Sequence, residues 1–322
     1  MKKTLTLYIL QYPDAMPSAI AGIQDIFTIA NHQAEEPLFA VNSLTSVIPN
    51  IKGERRVIFI PPCLGNELPS FFDPDILALL KRCHSSGAVI VAACAGVFWL
   101  ANSGLLDGRR ATTHWKLCQR LTNSFPNIKQ VNGREMVIDQ GDIVTAAGVY
   151  AFQDLALHII ARFSGYSLAK KVSDFCLLDL NGRLQAYYQR FYPDFSHGDK
   201  VIVKAQLFCS TRLHLNVNVL EIAEHCHTSE RTLLRRFKDA TGFTPKQYII
   251  QLKIEKAKKS MEQGKISVEK ISEDLGYSDT SNFIKVFKKV SGVTPSEFKA
   301  KQKNNIWDKG DASLGDKGDA TL

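Results

Sequence analysis

A cysteine at the end of an apolar run is the first residue whose surroundings suggest chemistry. Residues 89–97 read VIVAACAGV, which predicts a buried strand followed by Cys94, small neighbours and the start of a helix. This arrangement is typical of a nucleophile elbow, a tight strand-to-helix turn that lifts one side chain above a sheet. We expect the helix N-terminus to lower the pKa of the Cys94 thiol and to stabilise a bound anion.

A histidine in residues 111–115, which read ATTHW, follows another predicted strand. Because the carboxyl ends of parallel strands meet at one edge of a sheet, we expect Cys94 and His114 to share a pocket. The predicted ligand-binding residues of that pocket are Cys94, Ala95, His114 and Trp115. Two plainer interpretations stay open: Cys94 is a small residue tolerated in a tight turn, and His114 caps the helix that it begins.

Another group of candidate residues lies in a stretch that occurs twice. Residues 222–245 read IAEHCHTSERTLLRRFKDATGFTP, and residues 271–295 read ISEDLGYSDTSNFIKVFKKVSGVTP. The copies align at an offset of 49 residues at their start and, after one inserted residue, at an offset of 50. Two copies favour a pair of modules over a solenoid, because a solenoid needs about three repeats or more.

Each copy predicts a helix, a short turn and a second helix with a basic outer face. In the first copy Ser229 is the expected cap of the second helix, which buries Leu233 and Phe237 and ends at a glycine. In the second copy the expected cap is Ser278 or Asp279. Residues 246–263 predict one connecting helix whose outer face carries Lys253, Lys256, Lys258 and Lys259.

These two copies, with the connecting helix between them, closely resemble the AraC-type DNA-binding domain over about residues 206–302. The resemblance implies an all-α double helix-turn-helix domain that binds promoter DNA. Two recognition helices of this kind enter successive major grooves roughly 10 base pairs apart. The plain alternative is a bundle of helices with solvated charges. By resemblance the base-reading residues are Arg231, Leu234, Arg235, Thr280, Ser281 and Lys285.

The first half of the chain alternates predicted strands and helices. This alternation is typical of an α/β three-layer sandwich with helices on both faces of a sheet. The predicted strands are 4–10, 38–44, 57–60, 88–93, 136–138 and 142–145, and the predicted helices are 18–31, 73–84, 97–103, a helix from His114, 150–163 and 168–178.

The sequences AACAG, GLLDGRRATTHW and GDIVTAAGVYAFQDLALHII resemble segments of the ThiJ/PfpI, type 1 glutamine amidotransferase-like domain. This resemblance covers about residues 4–180 and implies a flavodoxin-like fold. Together with LQAYYQRF in residues 184–191, it makes the chain similar to the GlxA-like subfamily of AraC-family regulators. The expected organisation is a sensor domain (1–183), a linker (184–205), a DNA-binding domain (206–302) and a disordered tail (303–322).

The chain departs from the enzymes of this superfamily at one position. They hold the thiol with an acidic residue on the first helix, and the aligned residue here is Ala19, with Asp14 and Asp25 off register. A glycine pair after the third strand is also replaced by Pro62 and Cys63. We therefore expect no catalytic residue and no enzyme activity. The alternative is a cysteine-dependent amidase or hydrolase that carries a DNA-binding domain.

The charge of the chain is unevenly distributed. The formal net charge is +8, and residues 206–303 contain eighteen Lys and Arg against eleven Asp and Glu, a net charge of +7. A near-neutral first domain with a basic second domain suits a sensor joined to a nucleic-acid binder. A sensor that acts only through protein contacts is a third hypothesis, for which this basic charge would be superfluous.

The seven cysteines form no C-x-x-C pair, which favours reduced thiols in the cytoplasm. No cofactor or metal is expected, and His225, Cys226 and His227 are interpreted as incidental residues of a turn. The longest apolar run, 88–101, is too short to span a membrane. By resemblance the partners are promoter DNA, a small effector of the nitrogenous class, a second copy bound through the first domain and, for an activator, RNA polymerase.

Overall fold

The computed structural model describes residues 4–45, 55–64, 68–180, 183–264 and 266–303. The chain divides into two compact units, Met1–Ala186 and Tyr187–Leu322, and each is described by itself. The predicted disordered tail lies outside the described residues from residue 304 onward. Among the described residues, no helix combines the length and the apolar character that crossing a membrane requires.

The strands of the first unit are β1 (Leu5–Leu10), β2 (Phe39–Leu44), β3 (Arg55–Ile60), β4 (Val89–Ala93), β5 (Arg110–Ala111), β6 (Gln130–Val131), β7 (Val137–Asp139) and β8 (Ile143–Ala146). Six of them form a sheet in the order β2-β1-β3-β4-β8-β7, in which only β7 runs antiparallel to its neighbour. Strands β1 and β8 are buried along their whole length, as expected for a parallel sheet covered on both faces. The parallel strands follow the order of flavodoxin-like folds.

The helices that cover this sheet are α1 (Pro17–Gln33), α2 (Pro74–Ser85), α3 (Val97–Asn102), α4 (Cys118–Ser124), α5 (Phe152–Ser164) and α6 (Tyr166–Phe175). Helices α1, α5 and α6 share one apolar core, which includes Phe27 and Ile159. Helices α2, α3 and α4 share another core, which includes Leu80, Trp99 and Leu121. The predicted three-layer sandwich is confirmed. Of the short pair β5–β6, β5 is the strand expected before His114, whereas β6 was missed, because a two-residue strand leaves no periodic pattern.

The helices that follow are α7 (Gln185–Tyr188), α8 (Lys200–Thr211), α9 (Val219–His225), α10 (Glu230–Thr241), α11 (Pro245–Glu262), α12 (Val268–Asp274), α13 (Thr280–Ser291) and α14 (Pro295–Lys303). Helices α9 and α10 form one helix-turn-helix module, α12 and α13 form another, and α11 connects them. Each module has its own core, around Phe237 in the first and Phe287 in the second. The predicted double helix-turn-helix unit is confirmed.

The bounds of these helices locate the inserted residue of the second copy. Helices α9 and α12 begin and end 49 residues apart, whereas α10 and α13 begin and end 50 residues apart. The extra residue therefore lies in the turn of the second module. Ser229 caps α10, and its counterpart is Asp279, whose carboxylate accepts the N–H groups of Ser281 and Asn282 at 2.9 and 3.2 Å. Ser278 is not the cap.

The segment predicted as a linker belongs largely to the second unit. Gln185 and Ala186 are buried in the first unit, and the second unit begins at Tyr187. Ile202 and Ala205 on α8 are fully buried in the core of the first helix-turn-helix module. The expected domain boundary at residue 206 therefore falls inside a helix.

Two of the lysines expected on the outer face of α11 are buried, and that prediction was wrong for them. Lys253 is 6% exposed and Lys258 is 2% exposed, while Lys256 and Lys259 are exposed. The Nζ of Lys258 donates to the carbonyl oxygen of Gln189 at 2.7 Å. Helical periodicity shows which side of a helix is apolar, but not which polar residues other segments cover.

Candidate functional site

The elbow at Cys94 is a sharp turn with an unusual backbone. Cys94 has a φ of 54°, a left-handed conformation that costs a residue with a side chain about 1–2 kcal/mol. The chain passes from β4 through a 3₁₀ turn, Cys94–Gly96, into α3. A Cβ on Gly96 would lie 2.5 Å from the carbonyl oxygen of Pro61, so only glycine lets this turn pack on the end of β3.

The Cys94 thiol is buried, with 4% of the residue exposed. Burial, assisted by the nearby Cys63, raises the pKa of this thiol to about 12, although the backbone N–H groups of Ala95 and His114 act to lower it. The expectation that the helix N-terminus lowers this pKa is therefore wrong. Loss of water around the thiolate outweighs the backbone donors, and α3 begins only three residues later, at Val97.

His114 contacts the Cys94 thiol through its backbone. The imidazole Nδ1 accepts the N–H of Lys116 at 3.2 Å and so caps the 3₁₀ turn Trp115–Leu117. The neighbouring Thr113 donates its hydroxyl to the carbonyl oxygen of Cys94 at 2.7 Å. Thus the capping interpretation of His114 holds, and the structure also places Cys94 beside residues 113 and 114.

Trp115 and the residue that positions it complete this region. The Trp115 ring lies 5.3 Å from the His114 ring, centroid to centroid. Its backbone N–H donates to Oε1 of Gln185 at 2.7 Å, and Nε2 of Gln185 donates to the carbonyl oxygens of Thr113 and Gly133 at 3.1 and 2.9 Å. Gln185 is 3% exposed and satisfies three backbone groups. Sequence reasoning missed it, because a single glutamine in a presumed linker gives no pattern.

The acidic residues near the first helix are not placed to hold the thiol. Ala19 is fully buried in the core under α1. Asp14 accepts the backbone N–H and the hydroxyl of Ser70, at 2.7 and 2.5 Å, and Asp25 is exposed. The hydrogen bonds that act on the Cys94 thiol come from the backbone of Ala95 and His114.

Tyr12 is a further residue of this region that the sequence did not single out. It is 7% exposed, and its hydroxyl donates to the carbonyl oxygen of Pro61 at 2.7 Å. Burial raises the pKa of Tyr12, and the neighbouring thiols of Cys63 and Cys94 raise it further. Tyr12 and Cys94 are both protonated at neutral pH, and the only O–H of Tyr12 is donated to Pro61, so the region offers the weak S–H donor of Cys94 to a ligand and no thiolate nucleophile.

The second unit presents its basic residues from the second helix of each module. On α10, Leu233 and Phe237 are fully buried. The predicted base-reading residues Arg231, Leu234 and Arg235 lie on the opposite side and are exposed. The Arg235 side chain is 71% exposed and approaches Asp239 only to 3.7 Å, so its guanidinium is accessible to a partner.

Helix α13 repeats this arrangement. Phe283 and Phe287 are fully buried, whereas Ser281 and Lys285 are exposed and Thr280 is half-buried. The 50-residue offset pairs Arg231 with Ser281, Arg235 with Lys285 and Leu234 with the half-buried Ile284. Both helices end at a left-handed glycine, Gly242 with a φ of 75° and Gly292 with a φ of 79°.

The His-Cys-His stretch of the first turn has structural contacts. The His225 ring stacks on Phe208 with centroids 4.3 Å apart, and Cys226 is buried in the module core. Within the described part of the chain, no group of three or more His, Cys, Asp or Glu residues is arranged to hold a metal ion.

Comparison with known proteins matches each unit to a family. Residues 64–162 match the DJ-1/PfpI family, and residues 222–301 match a helix-turn-helix domain family. These matches contain the elbow and both helix-turn-helix modules, respectively.

Curated relatives span both units. The HTH-type transcriptional regulator ArgR of Pseudomonas aeruginosa is 30% identical over 238 residues, which cover 73% of this chain and 71% of ArgR. The HTH-type transcriptional regulator CdhR of the same organism is 28% identical over 265 residues, covering 81% and 76% of the two chains. The HTH-type transcriptional regulator GlxA of Rhizobium meliloti is 26% identical over 239 residues, covering 74% and 73%.

Proposed function

Because this chain belongs to the AraC-type HTH transcriptional regulators and its first unit matches the DJ-1/PfpI family, we propose a function for each of its two units. The chain is a DNA-binding transcriptional regulator. We propose that α10 and α13 read promoter sequence and that the first unit binds a small effector at the elbow.

The proposal that α10 and α13 read promoter sequence rests on the geometry that the two helices share. Both helices begin at a capped N-terminus, bury two large side chains and present polar or basic residues near their first turns. In helix-turn-helix proteins that end of the second helix contacts base edges. An arginine such as Arg231 or Arg235 suits guanine, because its fork meets O6 and N7 together.

Footprinting of the full chain on its own promoter tests this proposal. Two helices on one connecting helix are expected to protect two successive major-groove patches, roughly 10 base pairs apart, per chain. A single short patch per chain would contradict it. A matched pair of variants, Arg235→Ala and Lys285→Ala, should each relax the base preference in one of the two patches.

The donors around Cys94 support the proposal for the effector. Backbone N–H groups of Ala95 and His114 converge near the thiol, and Trp115 offers an aromatic surface beside them. We propose that Cys94, Ala95, His114 and Trp115 bind a small metabolite with an acceptor oxygen. The nitrogenous class is the one that the GlxA-like resemblance implies.

The state of Cys94 favours binding of an effector at the elbow over catalytic turnover of a substrate. A thiol whose pKa is raised to about 12 is protonated at neutral pH, whereas the thiolate is the nucleophile. Ala19 carries no acid, and of the two nearby acidic residues Asp14 is hydrogen-bonded to Ser70 and Asp25 is exposed. Cys94-dependent hydrolysis of an amide or ester by the full chain would contradict this proposal and support the amidase or hydrolase alternative.

The remaining parts of the proposal concern regulation. We propose that the chain acts in the cytoplasm as a dimer formed through the first unit, and that it activates transcription with RNA polymerase. Regulation by an effector requires that the effector favour one state of the protein over another.

A thermal-shift screen of metabolites on the full chain identifies effectors, because a ligand selective for the folded state raises its melting temperature. A confirmed effector is expected to change the affinity for promoter DNA. An effector that binds at the elbow and leaves both DNA affinity and transcription unaltered would contradict the sensor proposal.

A further inference from the structure

The second unit contains a cavity whose lining includes none of the six predicted base-reading residues. The cavity has a volume of about 610 Å³ and lies where the start of α9, the middle of α11 and the side of α13 meet. Both helix-turn-helix modules therefore contribute to its wall. Its size falls within the range of pockets that hold small molecules, about 300–1,000 Å³. The residues that line it include Val217, Ile250, Lys253, Tyr277 and Val286.

A close backbone contact holds the two modules together beside this cavity. Gly276, in the turn of the second module, has a φ of 73°, and a Cβ on it would lie 2.2 Å from the carbonyl oxygen of His214. Residues that immediately follow these two, Leu215 and Tyr277, line the cavity. The cavity wall is thus built by direct packing of one module on the other.

Lys253 places a positive charge in the wall of this cavity without a matching negative charge. The residue is 6% exposed, and its Nζ has a long hydrogen bond to the carbonyl oxygen of Leu215, at 3.5 Å. The Nζ also lies 5.0 Å from the centre of the Tyr277 ring. Within the described residues, Lys253 has no carboxylate within 4.0 Å and the cavity has no Asp or Glu in its lining.

An ammonium in this position retains donor capacity. A lysine has three N–H donors, and burial of a charge is costly unless the charge is paired. Burial lowers the pKa of Lys253, which shows how little the surroundings compensate the charge. A carboxylate that entered the cavity would supply the missing acceptor and counter-charge.

The rest of the lining determines what such a ligand must carry. Val217, Ile250 and Val286 give part of the wall an apolar character beside the buried ammonium of Lys253. The polar part of the lining includes Asn216, Asn218, Asn282 and the exposed Lys246. A ligand therefore needs one anionic end and an apolar body. A phosphate of a DNA duplex fits less well, because it cannot bring apolar surface into the cavity.

We propose that this cavity is a binding site for a small monocarboxylate with an apolar body, its carboxylate paired with Nζ of Lys253. The site is separate from the elbow of the first unit, so the chain has a second ligand site inside its DNA-binding unit. A molecule bound there contacts both helix-turn-helix modules.

Isothermal titration calorimetry on the full chain tests the proposal, with hexanoate as the probe and 1-hexanol as its uncharged match. Hexanoate is expected to bind and 1-hexanol to bind much more weakly. Lys253→Met keeps an unbranched side chain, one atom shorter, and removes the charge, so it should weaken hexanoate binding by about tenfold or more. Lys259→Met changes an exposed lysine on the same helix and should leave the affinity unchanged.

A second variant keeps the test decisive if Lys253→Met does not fold. Val217→Phe fills the cavity from the loop before α9 and retains Lys253, so it should also weaken hexanoate binding. Absence of hexanoate binding to the unmutated chain would overturn the proposal. Equal hexanoate affinity in Lys253→Met and Lys259→Met, or an unchanged affinity in Val217→Phe, would overturn it as well.

Discussion

His227 and Gly276 occupy the same position in the turns of the two helix-turn-helix modules, 49 residues apart, and both have a left-handed backbone, with φ values of 52° and 73°. The two turns therefore use the same bend. They differ in their surroundings, because His227 is exposed whereas a Cβ on Gly276 would lie 2.2 Å from the carbonyl oxygen of His214. The bend needs a left-handed residue in both modules, but only the second module needs glycine.

The first prediction follows from this difference. Gly276→Ala should lower the free energy of unfolding of the helical unit by more than about 2 kcal/mol, since backbone strain and a steric clash add. His227→Gly should change it by less than about 1 kcal/mol, because relief of strain and greater freedom of the unfolded chain oppose each other. Urea denaturation of both variants measures this. Equal destabilisation by the two substitutions would contradict the assignment.

The second prediction separates a base-reading arginine from its structural neighbour. Arg235→Ala should weaken binding to the promoter site by about 1–3 kcal/mol and relax the preference at one base pair. Arg236 makes two hydrogen bonds to the carboxylate of Asp199, at 2.7 and 2.8 Å, so Arg236→Ala should lower stability and leave base preference intact. Selection from randomised sites and thermal melting measure the two effects. An unchanged preference in Arg235→Ala would argue against α10 as a reading helix.

The third prediction concerns the buried thiol at the elbow. Its raised pKa and its burial imply that Cys94 is not the fastest cysteine to be alkylated at neutral pH, in contrast to the expectation from the elbow sequence alone. The half-buried Cys176 should react with iodoacetamide before Cys94, although burial also raises the pKa of Cys176. Mass spectrometry after limited labelling tests this. Faster labelling of Cys94 would mean that the folded state exposes the thiol.

Cys94 also predicts a pH dependence. Because its pKa in the folded state, about 12, lies above the ordinary cysteine value of 9.0, its protonated form stabilises the fold below pH 9. That contribution is lost as the pH rises from about 9 toward 12, where the unfolded thiol ionises first. Cys94→Ser should remove this loss and leave DNA binding intact. The test compares denaturation of both proteins across that pH range.

The fourth prediction concerns the glutamine that holds residues 113–115. Gln185→Ala leaves buried backbone groups of Thr113, Trp115 and Gly133 without their partner, which should cost about 1–3 kcal/mol of stability in the first unit. It should also weaken the response to an elbow-binding effector. Gln119→Ala, at an exposed position on α4, is the matched control. Identical melting of the two variants would contradict the role of Gln185.

The fifth prediction concerns Lys258, whose pKa burial lowers to about 8. Its pKa in the folded state lies below the ordinary lysine value of 10.5. Between about pH 8 and pH 10.5 the unfolded state therefore binds more protons, and the contribution of Lys258 to stability rises with pH. The change is at most about 3 kcal/mol. Lys258→Met should abolish it, and the pH dependence of the stability difference between the two proteins measures it. A difference that is flat over this range would contradict the assignment.

The order of strands and helices in the first unit was predictable because each buried strand is a continuous apolar run. The run that forms β4 and the small residues around Cys94 were enough to predict the sharp turn at the elbow. Duplication, caps and glycine terminators were enough to predict both helix-turn-helix modules, since these features act within a few residues of each other. Exposure of Arg235 and Lys285 followed from helical periodicity alone.

Only the tertiary structure decided the state of individual polar groups. The pKa of Cys94 depends on how much water the packed segments exclude, and the environment of Lys253 depends on a loop 38 residues away in the chain. Gln185 acts on carbonyl groups 52 and 72 residues earlier. Local patterns fix helices, strands and caps because their hydrogen bonds are short-range. Burial of a charge or a thiol is a property of segments distant in sequence, and it appears only when they pack.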